Sequence, residues 1–233
     1  MFPQQMRAII LQRREDKGES LLLDCLTEEN QLLRVRIPGI LKSKKRSAYF
    51  YFPGSLWDFT LTSVKDNFAI PKESNLISEP VGMNPDYESQ VNLAKLLEPV
   101  RIVHFWQSSE GFFDLLQKTL ANWSGLSKNE QRKFVFAVTL QSALAEGVLS
   151  LETECSRCGR ESELGIYRPE EGNVCECCAS QNETEQNAAY SDIAKLLNAF
   201  DGEPDLVLPS EEYRQKLLNI LRHEQNFGSA RKF

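Results

Sequence analysis

Residues 21–47 read LLLDCLTEENQLLRVRIPGILKSKKRS, and this stretch decides the front half of the molecule. Leu21 to Leu26 is an apolar-rich strand candidate. Thr27-Glu28-Glu29-Asn30 supplies residue types that tolerate turn backbone. Leu33, Val35 and Ile37 then alternate with Arg34 and Arg36. That period of two puts the aliphatics on one face of a strand and both guanidiniums on the other. Pro38-Gly39 breaks the strand. The basic cluster Leu41-Lys42-Ser43-Lys44-Lys45-Arg46-Ser47 follows, and then four aromatics in a row, Tyr49 to Phe52.

Outward from this stretch the strand pattern continues in both directions. Arg7 to Leu11 is apolar-rich. Trp57, Phe59 and Leu61 alternate with Asp58, Thr60 and Thr62, and Phe68 to Ile70 closes the region before Pro71. Four or five short strands within about 65 residues suit a small barrel such as an oligonucleotide-binding fold. Residues 71–86, with Pro71, Pro80, Gly82 and Pro85, read as a linker. Helical periodicity follows over 87–107, bent or interrupted at Pro99, and over 111–123. A third helix opens at Ser127, where Glu130 completes a capping-box pattern, and takes Phe134, Val138, Leu144 and Val148 as its buried side. Further helices are expected over 187–200 and 210–224, with SQNETEQN (180–187) as a solvated loop. The fold class expected is α+β. Residues 1–80 form a small barrel, and residues 81–233 form a helical domain with a cysteine-rich insertion at 152–180.

The net charge of −6 hides an asymmetry. Residues 1–50 carry ten Lys/Arg against six Asp/Glu, and the other 183 residues carry 17 basic against 27 acidic groups. A basic end on an acidic body argues for one surface that faces a polyanion and one that repels it. The longest unbroken apolar runs are about five residues, as at Phe134–Val138, against the roughly 20 that a membrane helix needs. The N-terminal MFPQQMRAII lacks a signal-peptide stretch, so a cytoplasmic protein is expected.

Five of the six cysteines lie between Cys155 and Cys178. Cys155, Cys158, Cys175 and Cys178 follow C-x2-C-x16-C-x2-C, the spacing of a four-thiolate structural zinc site. A two-residue gap lets one tight turn aim two sulfurs at one tetrahedral ion, and Gly159 tolerates the positive φ such a turn needs. Cys177 is a surplus thiol that leaves the register of the second pair open. A redox pair at Cys177-Cys178 and an iron–sulfur cluster are the competing readings. Cys25, alone in an apolar run, reads as a buried small hydrophobe. Four thiolates close the shell, which speaks against catalytic zinc.

Catalytic signals are thin. The two histidines are His104, in an apolar helical stretch, and His223. No phosphate-binding G-x-x-x-x-G-K-[ST] loop and no G-x-S-x-G turn occurs. Acidic pairs such as Glu28-Glu29, Glu170-Glu171 and Glu211-Glu212 lie beside turns or helix starts, where acids are common. By contrast, the cations of 34–46 next to the aromatics of 49–52 suit single strands. Cations neutralise phosphates and rings stack on unpaired bases. An RNA-binding or ribosome-associated zinc protein, or a zinc-dependent nuclease, remains an alternative on these residues.

The order of parts resembles the bacterial RecO family of recombination mediators. MRAIILQRREDKGES (6–20) leads into the quoted basic stretch, a helical body follows, and the paired cysteines come late. The resemblance implies a DNA-repair protein that is not an enzyme. It implies binding to single- and double-stranded DNA, annealing of complementary strands, and loading of a RecA-type recombinase with RecR. It also implies binding to the C-terminal tail of single-stranded DNA-binding protein. By position, Arg34, Arg36, Lys42, Lys44, Lys45 and Arg46 carry over as DNA contacts, with Arg13, Arg14 and Lys17 in a second rank. The cysteines carry over as ligands of one structural zinc per chain, and the location implied is cytoplasmic and nucleoid-associated.

Overall fold

The computed structural model describes residues 4–44, 48–65, 68–80, 86–103, 111–162, 165–186, 188–197 and 208–230. Two compact units divide the chain, residues 1–128 and 129–233.

The first unit opens with five strands: β1 (Gln4–Asp16), β2 (Ser20–Thr27), β3 (Leu32–Ile37), β4 (Leu56–Lys65) and β5 (Phe68–Ser78). They close into a barrel in the order β1-β2-β3-β5-β4. Four of the pairings are antiparallel, and β3 meets β5 in parallel through Arg34–Phe68 and Val35–Ala69. The alternation read from the sequence sets the faces. Leu33, Val35 and Ile37 point into the core with Ala8, Ile10, Leu23 and Phe59, while Arg34 points out. Cys25 is fully buried, and burial pushes its thiol pKa far above the ordinary value.

Several expectations are corrected here. Residues 71–78 are not linker: β5 continues through Pro71, which faces Leu61 at a register shift, where a missing N–H costs no ladder bond. The four aromatics at 49–52 also divide between core and surface. Tyr51 is 3% exposed and stacks on Trp57 with ring centroids 4.1 Å apart, whereas Tyr49 is 62% exposed and Phe50 45%.

Helices α1 (Tyr87–Ile102) and α2 (Phe112–Ala121) belong to the same unit as the barrel. Asp86 caps α1, its carboxylate accepting from the Ser89 N–H at 3.0 Å. Pro99 lies within α1, and the helix runs on to Ile102. α1 packs on β1, whose Ile9 and Leu11 are buried on the face away from the barrel core. Gly54 sits at the meeting of these parts with φ +89°, and a Cβ there would lie 2.8 Å from Pro80 Cγ and 3.2 Å from Leu93 Cδ1. His104, the histidine of the apolar helical stretch, lies outside the described residues.

The second unit is built on α3 (Lys128–Ala145), α5 (Tyr190–Leu197) and α6 (Glu211–Ala230). Its core includes Phe136, Leu140, Ile193, Leu196, Tyr213 and Leu217. Of the residues expected on the buried side of α3, Val138 is buried and Phe134 half-buried, but Leu144 is exposed and Val148 lies beyond the helix end; Val135, Phe136, Leu140 and Ala143 complete the buried stripe. The expected loop 180–187 contains a short helix, α4 (Gln181–Gln186), followed by a two-residue strand, β8 (Ala188–Ala189). The cysteine region is an antiparallel hairpin of β6 (Gly165–Arg168) and β7 (Gly172–Cys175), with β8 added beside β6. Tyr167 of β6 ties this hairpin to the helical core: its ring is buried there and its hydroxyl accepts from the Ser150 N–H at 3.1 Å.

Candidate metal centre and nucleic-acid interface

The sulfurs of Cys155, Cys158, Cys175 and Cys178 all lie within 4.8 Å of one another. Two turns present them. In the first, the Gly159 N–H donates to the Cys155 carbonyl at 2.8 Å, and Gly159 takes φ +69°, as its place after Cys158 predicts. In the second, the N–H groups of Cys178 and Ala179 both donate to the Cys175 carbonyl at 3.0 Å. Cys177 is exposed and outside the cluster, and Cys175 and Cys178 are the two that join Cys155 and Cys158.

The donor set fits one tetrahedral ion. Sulfurs at about 2.3 Å from a tetrahedral centre stand about 3.8 Å apart, and Cys158 Sγ lies 3.7 Å from Cys175 Sγ. The thiols are also unequal. The Cys175 N–H, 3.4 Å from Cys155 Sγ, leads the effects that hold the Cys155 pKa down to about 6. Cys178, with Cys158 and Cys175 as its sulfur neighbours, is pushed up to about 12. One sulfur is thus close to the thiolate state that metal binding needs, and a cation would draw the others to it.

Around the sulfurs lies a charge lattice that the spacing did not reveal. Arg157, inside the first turn, donates from Nε to Glu171 Oε1 at 2.7 Å and from Nη2 to Glu183 Oε1 at 2.6 Å. Its Nη1 donates to the Cys178 carbonyl at 2.7 Å, reaching across to the second turn. Arg168 Nη1 joins the same two acids, at 2.6 Å to Glu171 and 2.8 Å to Glu183. Hydrogen bonds from Arg157 hold the Glu183 pKa down to about 2 and lower that of Glu171. Asn173 ties the flanking segments, its side-chain amide donating to the carbonyls of Thr153 at 2.9 Å and Ser162 at 2.7 Å. Glu171 belongs to an acidic pair read as turn residues. The signal present in the sequence was an arginine enclosed by two cysteines.

Among the described residues, seven of the cations read as DNA contacts lie outside the barrel core, and four of them already hold an acid. Arg14 and Arg34 share Asp24 at 3.0 and 3.3 Å, Arg36 pairs with Asp16 at 2.8 Å, and Lys42 pairs with Glu19 at 2.6 Å. Exposed pairs of this kind are worth about 0–1 kcal/mol, so an incoming phosphate can exchange for the acid. Arg13 donates from Nη1 to the carbonyls of Ala48 at 3.1 Å and Tyr51 at 3.5 Å, and Lys17 lends its carbonyl to Arg36. Lys44 is exposed beside them, and Lys45 and Arg46 lie outside the described residues.

No curated protein matches the chain. A family model, Recombination protein O C terminal, matches residues 100–224, more than half of the 233 residues. The chain belongs to the RecO family. A RecO protein is a DNA recombination and repair protein, and the match begins in α1 and ends within α6, so it takes in the whole cysteine hairpin. The barrel ahead of it, Gln4 to Ser78, lies outside the matched segment. Among the described residues, no helix of this RecO protein is long and apolar enough to cross a membrane.

Proposed function

We propose that the protein is a non-enzymatic mediator of recombinational repair. It binds single- and double-stranded DNA and anneals complementary strands. With RecR it helps load a RecA-type recombinase onto DNA coated by single-stranded DNA-binding protein, whose C-terminal tail it also binds. The observation that carries this reading is the family match over residues 100–224. The barrel supports it chemically. Two polyanions anneal only when a cationic surface lowers their repulsion without gripping either sequence, and backbone contact by lysines and arginines does that.

In this reading residues 1–80 carry the phosphate contacts, and the helical body within residues 81–233 offers surfaces to protein partners. Arg34, Arg36, Lys42, Lys44, Lys45 and Arg46 contact phosphates, and Arg14 and Lys17 extend the track. Arg13 assists by holding the Ala48–Tyr51 segment through its carbonyl bonds. Cys155, Cys158, Cys175 and Cys178 hold one structural zinc per chain. The protein works in the cytoplasm, on the nucleoid.

The test is annealing of complementary strands precoated with the cell's single-stranded DNA-binding protein. Added protein should raise the annealing rate, and an equal rate without it would overturn the proposal. Changing Lys44, Lys45 and Arg46 together to Ala should flatten the log–log salt dependence of single-strand affinity by about 2, at roughly 0.7 per phosphate. Matched RNA and DNA oligonucleotides in competition separate this reading from an RNA-binding one.

A further inference from the structure

The segment between β3 and β4 carries an arrangement that phosphate contact does not use. Tyr49 is 62% exposed, and beside it opens a cleft of about 300 Å³ whose lining includes Arg13, Phe52, Pro53, Gln90 and Leu93. Exposed aromatic rings at the mouth of an apolar cleft are what a binding site leaves uncovered. The segment is pinned on both sides of Tyr49. Arg13 bonds the Ala48 and Tyr51 carbonyls, and the Tyr51 hydroxyl lies 2.6 Å from Ser74 Oγ while its ring stacks on Trp57. Phe50 and Phe52 stand 6.0 and 6.1 Å from the Tyr49 ring at interplanar angles of 76° and 46°, so the three rings form a faceted wall, not a stack.

We infer that this cleft takes one unpaired nucleobase of a single strand, stacked on Tyr49. The inference rests on the DNA-binding reading and adds a site to it. Charge argues for this occupant. Arg13 lines the cleft, and the segment leading to Tyr49 carries six Lys/Arg, of which Arg34, Arg36 and Lys42 hold surface acids that a phosphate can displace, so a polyanion is the chain drawn to the cleft. Shape argues the same way: aromatic and aliphatic walls suit the flat faces of a base, and the Gln90 amide at the lining suits its polar edge. The cleft then explains how one barrel serves both strand forms. A duplex offers phosphates alone, because its bases are stacked on one another. A single strand offers phosphates plus a base.

The experiment compares full-length protein on three oligonucleotides of equal phosphate count: a normal single strand, the same strand with abasic sites throughout, and a duplex. The native chain should prefer the normal strand over the abasic one by about 5-fold or more. Tyr49→Ala should abolish that preference and leave abasic and duplex affinities within about 2-fold of native, while Tyr49→Phe should keep the preference. Equal native affinity for normal and abasic strands would overturn the inference and leave the DNA-binding reading standing. So would a Tyr49→Ala loss shared equally by all three ligands. Failure to bind any of the three in dilute buffer would sink both. If Tyr49→Ala leaves nucleic acid untouched but weakens binding of a peptide with an apolar side chain, the cleft belongs to a protein partner and the inference is wrong.

Discussion

Arg157 donates from Nε to Glu171 at 2.7 Å, and the same guanidinium reaches the Cys178 carbonyl at 2.7 Å. One side chain thus joins the turn that carries Cys155 and Cys158 to the turn that carries Cys175 and Cys178, with no metal in between. Partners of this kind orient ligands, and their loss commonly costs about 10–100-fold in metal affinity. Arg157→Ala is expected to lower zinc affinity by about that factor, read as zinc transfer to a competing chelator, with the helical far-UV signal retained. Arg157→Lys should rescue little, because an ammonium cannot serve three acceptors in one plane. Unchanged chelator competition in both variants would remove Arg157 from this role.

The same lattice sets a pH dependence. The Glu183 pKa falls from an ordinary 4.5 to about 2 in the folded chain, chiefly through its bond from Arg157. A depressed folded value means that the stabilisation is complete above pH 4.5 and disappears as the pH falls through about 2. In chelator-treated protein, amide exchange at Gly159, Cys178 and Ala179 should speed up across that window beyond the intrinsic trend. Glu183→Gln should remove most of the added slope. An identical pH profile in the variant would contradict the assignment.

Asn30 serves the barrel and a helix at once. It turns the chain between β2 and β3 with φ +56°, and its Oδ1 accepts from the Phe113 N–H at 3.1 Å. Gly111, at the N-cap position of α2, offers no side-chain cap, so the barrel supplies one. Asn30→Ala should cost about 1–2 kcal/mol, from the lost cap and from left-handed backbone. Asn30→Gly should cost less, since glycine adopts that backbone freely. Urea unfolding of the two variants checks the order, and equal losses would leave the cap as the whole effect.

Gly54 predicts a larger change. Its N–H donates to the Ile10 carbonyl at 2.7 Å, its φ is +89°, and Pro80 and Leu93 occupy the space a methyl group would need. Gly54→Ala should destabilise the chain by roughly 1–3 kcal/mol. The control is Gly147→Ala, also at positive φ but with nothing within 4 Å of a Cβ, which isolates the backbone contribution. Equal midpoints for the two would show that the contacts of Gly54 are soft.

Local pattern was legible wherever one stretch of chain settles the outcome alone. The alternation of Leu33, Val35 and Ile37 with Arg34 and Arg36 set which side chains the barrel buries, because side chains on a strand alternate whatever that strand pairs with. The paired two-residue gaps marked the four cysteines that cluster, because each gap fits one turn that aims two sulfurs the same way. Pro71 misled, because proline stops a strand only where its N–H is needed, and the register shift opposite Leu61 removes that need.

Other features needed parts of the chain that are far apart in sequence. β3 meets β5 in parallel only once the barrel has closed, and in the closed barrel Tyr51 stacks on Trp57 while Tyr49 stays exposed. Arg157 finds Glu171 and Glu183, 14 and 26 residues away, only after the cysteine hairpin has folded back on itself. Sequence by itself determined a basic barrel, a helical body and a four-cysteine loop, since strand alternation, helical period and cysteine spacing are short-range properties. Tertiary structure decided which cations are already paired, which aromatics face solvent and what clamps the thiolate turns, since each of these depends on a partner that no local pattern names.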